Sequence, residues 1–260
     1  MYEFKPRTWI LYPSEVFDDD FSCILSGELV TIVAESNSGK TTFALDMMER
    51  NAQRWIKWFY INLEFPMETM WQSRWLWFHN KDKAYLSNLE KLSESEKIDM
   101  SRFVSEKLEK YKYYNSPNWI DIDKLSQIIE VCAMDWYKLI VIDSFSMIHG
   151  NSWNDARWNQ NKCMQTLQEL AQRLDIAIIV LHHTNRQWTW EWSQKIMDLS
   201  NVMIIISKEV DAEWEQYRNY ALVKDKYVSN KELDLYYYWW KYVKDWGIWA
   251  KSWWDNEKPF

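Results

Sequence analysis

Residues 34–41 read "AESNSGKT", which fits the phosphate-loop pattern G-x-x-x-x-G-K-[ST] with Ala34 in place of the first glycine. Gly39, Lys40 and Thr41 match the pattern directly. A loop of this kind gathers backbone N–H groups around a phosphate at the mouth of a helix. Ala34, Glu35, Ser36, Asn37, Ser38, Gly39, Lys40, Thr41 and Thr42 are therefore the expected nucleotide-binding residues. Lys40 would reach the β- and γ-phosphates, and the Thr41 hydroxyl would bind Mg²⁺. A methyl group at position 34 is a mild departure, because it is small. Asp143 closes the apolar run "LIVID". A carboxylate at the end of a buried strand can hold Mg²⁺ directly or through water; the other reading is an N-cap for the next element. Glu64 ends "YINLE", at the rim where α/β sheets bind ligands, and there it could polarise an attacking water.

These residues need a scaffold that brings strand ends together, and the chain is patterned for one. "ELVTIVA" reads as a strand, and residues 41 to about 54 as a helix with Phe43, Ala44, Met47 and Met48 on one stripe. "WFYINLEF" is a second strand, and Pro66 opens a helix through "METMWQSRWL". Residues 81–115 are highly charged and read as a helical insertion on the periphery, with Ser93 and Glu96 as a capping box. A helix "NWIDIDKLSQIIEVCAM" leads into "YKLIVIDSF". A loop at 149–158 precedes the amphipathic helix "NQNKCMQTLQELAQRLD" and the strand "IAIIVLHHTNR". A second loop, 186–195, precedes "VMIIISKE", and the alternating segments after it read as antiparallel strands. Strands alternating with helices and closing on a β-hairpin edge argue one α/β domain with a mostly parallel sheet flanked by helices. The expected bounds are 1–250, with 251–260 a loose tail.

Composition sets the outer limits. The chain has 260 residues and a net charge of −7, so no global basic field points to nucleic acid, although a local basic loop could still do so. Cys23, Cys132 and Cys163 are scattered and odd in number, as expected of reduced thiols in a cytoplasmic protein. The N-terminus shows no signal peptide, and the apolar runs are far shorter than the roughly 20 residues of a membrane helix.

The balance of tryptophan and glycine is anomalous. There are 20 Trp and 4 Gly, where glycine at about 7% would supply about 18. The tryptophans also stand where turns are needed. "QRWIKWFYINLEF" wants a glycine C-cap after its helix. "AMDWYKLIVID" wants a turn residue, and "YYYWWKYV" has two Trp where a tight hairpin wants Asn-Gly or Gly-Gly. "RQWTWEWSQK" would make a flexible loop if its Trp were Gly. We read many of these positions, Trp55 and Trp58 among them, as natively glycine, encoded by UGA and translated here as tryptophan. The alternative is a truly Trp-rich protein with aromatics for stacking. UGG codons at these positions would end the first reading.

The segments "GELVTIVAESNSGKTTFALDM", "YINLEFPMETM", "KLIVIDSFSMI" and "LDIAIIVLHHTNR" resemble, in order and spacing, the RecA-like ATPase core of DnaB-type replicative helicases and their RepA, RadA and KaiC relatives. The resemblance covers roughly residues 7–245. It implies a RecA-like P-loop NTPase that hydrolyses ATP with Mg²⁺. It makes Glu64 the catalytic base and His183 the strand-end sensor that couples γ-phosphate to the DNA loops. It also implies a homo-oligomeric ring, most simply a hexamer, whose neighbouring subunit supplies basic fingers. Lys224 and Lys226 in "ALVKDKY" stand at those positions. A lysine there lacks the planar fork of arginine, and a plain surface pair is the other reading. Two loops, about 149–161 and 186–196, would face single-stranded DNA in such a ring. Arg157, Lys162, Arg186 and Lys195 are the cations available for phosphates, and Trp188, Trp190 and Trp192 could stack on bases if they are real.

The function this implies is an ATP-driven helicase-type motor on single-stranded DNA, in the replication of a genome, phage or plasmid. The extra N-terminal domain of full-length DnaB is not expected, nor are primase and loader contacts of that kind. An alternative keeps the ATPase as a RadA- or KaiC-like recombination accessory or assembly switch without unwinding. A third reading, a nucleotide-binding module without turnover, leaves Glu64 idle.

Overall fold

Four apolar runs dictate the centre of the molecule. "LVTIVA", "WFYIN", "LIVID" and "AIIVLHH" are short, rich in β-branched residues and apolar on both alternating faces, the signature of parallel strands covered on both sides. A computed structural model describes residues 6–116, 118–150, 156–183, 196–210, 216–225, 230–238 and 241–243. Within them the elements run β1 (Trp9–Ile10), α1 (Glu15–Phe21), β2 (Ile24–Leu25), β3 (Leu29–Ala34), α2 (Lys40–Ala52), β4 (Trp58–Asn62), α3 (Met67–Phe78), α4 (Glu94–Lys110), β5 (Lys112–Asn115), β6 (Ile120–Asp121), α5 (Ile122–Met134), β7 (Leu139–Asp143), β8 (Ile148–His149), α6 (Ala156–Leu174), β9 (Ala177–His183), β10 (Val202–Val210), β11 (Gln216–Lys224), β12 (Lys231–Tyr238) and β13 (Lys241–Val243).

The main sheet has nine strands in the order β13-β12-β11-β10-β3-β9-β7-β4-β5. The six strands from β10 to β5 are parallel, and β11, β12 and β13 extend the sheet antiparallel. The α/β sheet with a hairpin edge is thus the fold the sequence implies. Period-2 alternation divides β7 between two cores. Leu139 and Val141 face the core beneath α2 and α3, whereas Ile140 and Ile142 face the one beneath α5 and α6. Ser93 accepts from the Glu96 amide and the Glu96 carboxylate reaches back to the Ser93 amide, so the capping box starts α4.

Three expectations need correction. The charged stretch 81–115 is not wholly helical: Lys112–Asn115 forms β5, which pairs with β4 at the sheet edge, where two tyrosines favour strand over helix. Helix α6 begins at Ala156, inside the stretch read as a loop. Trp58 is not a turn residue: it opens β4, is buried, and packs on Tyr111 with ring centroids 4.4 Å apart. Trp55, in contrast, sits after α2 with φ +63°. The expected tail 251–260 lies outside the described residues. Among the described residues, no helix is long and apolar enough to cross a membrane, and the three cysteines are unpaired.

Candidate functional site

Register alone gathers the site. β3 pairs with β9 through Ala34 and His183, β9 with β7 through Leu181 and Asp143, and β7 with β4 through Asp143 and Asn62. The C-terminal ends of four adjacent parallel strands therefore bring the phosphate loop, His183, Asp143 and the Glu64 turn to one edge, where open α/β sheets bind ligands.

The loop from Glu35 to Gly39 turns tightly, with the Ser38 amide donating to the Glu35 carbonyl at 3.3 Å. Asn37 (φ +64°) and Gly39 (φ +97°) are left-handed, a geometry that gathers N–H groups into an anion-binding concavity. Gly39 then caps α2. The buried Lys40 ammonium donates to the Ala34 and Glu35 carbonyls at 3.0 Å each, and lies 3.2 Å from His183 Nδ1. Burial pushes its pKa down, while Asp143 and Glu64 pull it back up.

His183 joins the loop to the carboxylate side. Lysine has only donors, so His183 Nδ1 accepts and Nε2–H donates to Glu64 Oε2 at 3.1 Å. Glu64 is aimed by Asn62, whose buried side-chain oxygen accepts from the Glu64 and Phe65 amides at 3.2 Å each. His182, next in the chain, faces Phe145; burial pushes its pKa down to about 4, so it is neutral near pH 7.

Asp143 is buried, and desolvation raises its pKa. Its Oδ2 accepts from Thr41 Oγ1 at 2.9 Å and from Tyr60 Oη at 2.7 Å. Its Oδ1 is buried without a hydrogen-bond partner among the described residues. One ligand atom from each of Glu64, Asp143 and His183 lies within 4.8 Å of the others. An orphaned carboxylate oxygen beside a hydroxyl and a second carboxylate is a donor set for a hard divalent cation, so these residues fit Mg²⁺.

Sequence reasoning missed Tyr60 and Asn62, and also Arg218, whose Nε donates to the Ser38 carbonyl at 3.1 Å. Register puts Arg218 opposite Lys208, two residues beyond the Ile206–Ala34 pair, and so over the loop. Lys224 pairs with Met203, opposite Thr31, and so lies toward the other end of the sheet. Its ammonium donates to the Met197 and Asp198 carbonyls. Lys162 lies on α6. Lys226, Arg186, Lys195, Trp188, Trp190 and Trp192 lie outside the described residues, as does the side chain of Arg157.

Two variants probe this geometry. Tyr60→Phe removes one donor from a buried carboxylate, which should cost about 1.5–3 kcal/mol. Urea denaturation checks this; an unchanged midpoint would mean that the bond does not stabilise the fold. For His182, the unfolded ring takes its proton near pH 6.5 and the folded ring only near 4. Its contribution is complete above pH 6.5 and is lost as pH falls toward 4. His182→Gln should therefore lose less stability than the parent between pH 7 and 5. Equal losses would contradict a buried neutral ring.

Compared with known proteins, the model of the AAA_25 family, described as an AAA domain, matches residues 4–187. No curated protein matches the chain. Among solved structures, the chain is similar to an isolated ATPase domain, with TM-score 0.69 and 13% identity over 84% of this chain and 85% of that one. It is also similar to "The Structure Of A DnaB-Like Replicative Helicase And Its Interactions With Primase", with TM-score 0.69 and 12% identity over 84% of this chain. The match spans 57% of that second chain. The likeness is one of fold, and the fold is the RecA-like ATPase core that the motifs resemble.

Proposed function

The chain belongs to the AAA_25 family of AAA domains, and on that premise we propose that it is an ATP-hydrolysing, helicase-type motor, assembled as a ring and acting on single-stranded DNA. The observation that carries this reading is the convergence on one sheet edge of Lys40, Asp143, Glu64 and His183. A phosphate loop alone would only bind; a carboxylate held beside it can turn substrate over.

In this reading the amides of Ser36–Thr41 and the Lys40 ammonium hold the β- and γ-phosphates. Thr41 and Asp143 hold Mg²⁺, which when bound neutralises charge developing on the phosphate oxygens. Glu64 takes the proton of the attacking water, in the orientation that Asn62 and His183 fix. His183 touches both Lys40 and Glu64, so it is placed to relay the state of the phosphate site to the segment that follows β9. Lys224 lies away from its own phosphate loop, which suits a finger offered with Lys226 to a neighbouring subunit. Arg157, Lys162, Arg186 and Lys195 are the proposed DNA-phosphate contacts. Residues 1–250 act as one ATPase domain, since a single sheet takes strands from Leu29 to Val243.

The net charge of −7 gives weight to a second reading, an ATPase that switches protein assemblies without unwinding. Strand displacement from a forked DNA duplex decides between them. The motor reading expects displacement with ATP and none with a non-hydrolysable analogue. ATP hydrolysis without displacement on any fork would favour the switch.

A further inference from the structure

Trp55 and Trp136 occupy one structural position twice. Each follows a helix, α2 or α5, and each is left-handed, with φ +63° and +67°. Around Trp55, its amide donates to the Ala52 carbonyl at 3.1 Å and the Ile56 amide to the Asn51 carbonyl at 3.2 Å. Around Trp136, its amide donates to Ala133 and the Tyr137 amide to Cys132, both at 3.1 Å. This doubled closure is the Schellman ending, whose left-handed residue is usually glycine, because a Cβ there crowds the following carbonyl. A bulky residue in that conformation is an outlier. The other left-handed residues described are Ser22, Asn37, Asn80, Asp175, Gly27 and Gly39, all short, and Asn and Asp are the non-glycine types that tolerate it best.

Neither indole offsets the strain by packing. Trp55 is 93% exposed and Trp136 75%. Trp71 and Trp75, inside α3, are fully buried, and Trp75 Nε1 donates to Asp99 at 2.9 Å. The tryptophans therefore fall into two populations: one that fills the core, and one that stands where only the backbone is used. The C-terminal hairpin adds a third place. Tyr238 pairs with Lys241, so residues 239 and 240, both Trp, join two strands through a connection that favours Asn-Gly or Gly-Gly.

We infer that positions 55 and 136 are glycine in the protein as its source makes it, each encoded by UGA in a code that reads UGA as glycine. The same assignment accounts for 4 Gly beside 20 Trp, against the roughly 18 Gly a chain of this length ordinarily carries. It also means that the two exposed indoles are no partner-binding surface.

Two measurements on the full chain test this together. The gene is read at both codons, and Trp55→Gly and Trp136→Gly are compared with the parent by thermal unfolding. UGA at both positions with each variant melting about 2–4 °C higher is the expected result. UGG at either position overturns the inference there. UGA with an unchanged or lower melting point also overturns it, since the fold would then be built for a true tryptophan.

Discussion

Lys40→Ala should reduce ATP hydrolysis by at least about 10²–10³-fold, the loss typical of removing one preorganised donor to developing charge. The ammonium is already buried in the loop, held by the Ala34 and Glu35 carbonyls and against His183. A phosphate oxygen entering the loop would meet a cation that has lost its water, where electrostatic contacts are strong. Alanine is a good helix former, so α2 should begin as before. The fold should survive, and removing a desolvated charge adds no burial cost. The variant should keep the parent's circular dichroism spectrum while losing both nucleotide affinity and turnover. Parent-like turnover would remove Lys40 from the phosphate site.

Glu64→Gln should separate binding from chemistry. The amide keeps the shape, and its oxygen can still accept from His183 Nε2–H, but it cannot take a proton from water. A lost general base lowers turnover by about 10²–10⁴-fold. Nucleotide affinity, set by the loop and Lys40, should change little. The expected outcome is an enzyme that binds ATP and holds it. Hydrolysis at the parent's rate would overturn Glu64 as the base; loss of binding alone would make it a structural anchor.

What could be read from the chain followed the range of each interaction. The phosphate loop, Asp143 and His183 are legible because each is the end of an apolar run, and strand ends in a parallel sheet meet at one edge. Tyr60 was hidden because alternation in "WFYIN" marks it as a core aromatic. Its hydroxyl acquires a role only when β4 pairs with β7 beside Asp143. Asn62 was hidden because its work is a local turn, and Arg218 because it reaches the loop from 180 residues away. β5 vanished inside a charged stretch because an edge strand of four residues carries little apolar signal. The tryptophan anomaly was visible in composition, but composition could not sort it. Burial and φ do, separating Trp58 from Trp55, which the sequence alone treats alike.

A motor driven by ATP and engaged by DNA is tested most directly by steady-state ATP hydrolysis with and without single-stranded DNA. Lys40→Ala runs beside the parent, and both are made with Trp and with Gly at positions 55 and 136. The motor reading predicts hydrolysis that rises with single-stranded DNA and is absent in Lys40→Ala in both backgrounds. Hydrolysis indifferent to DNA would contradict the motor and direct the search to protein partners.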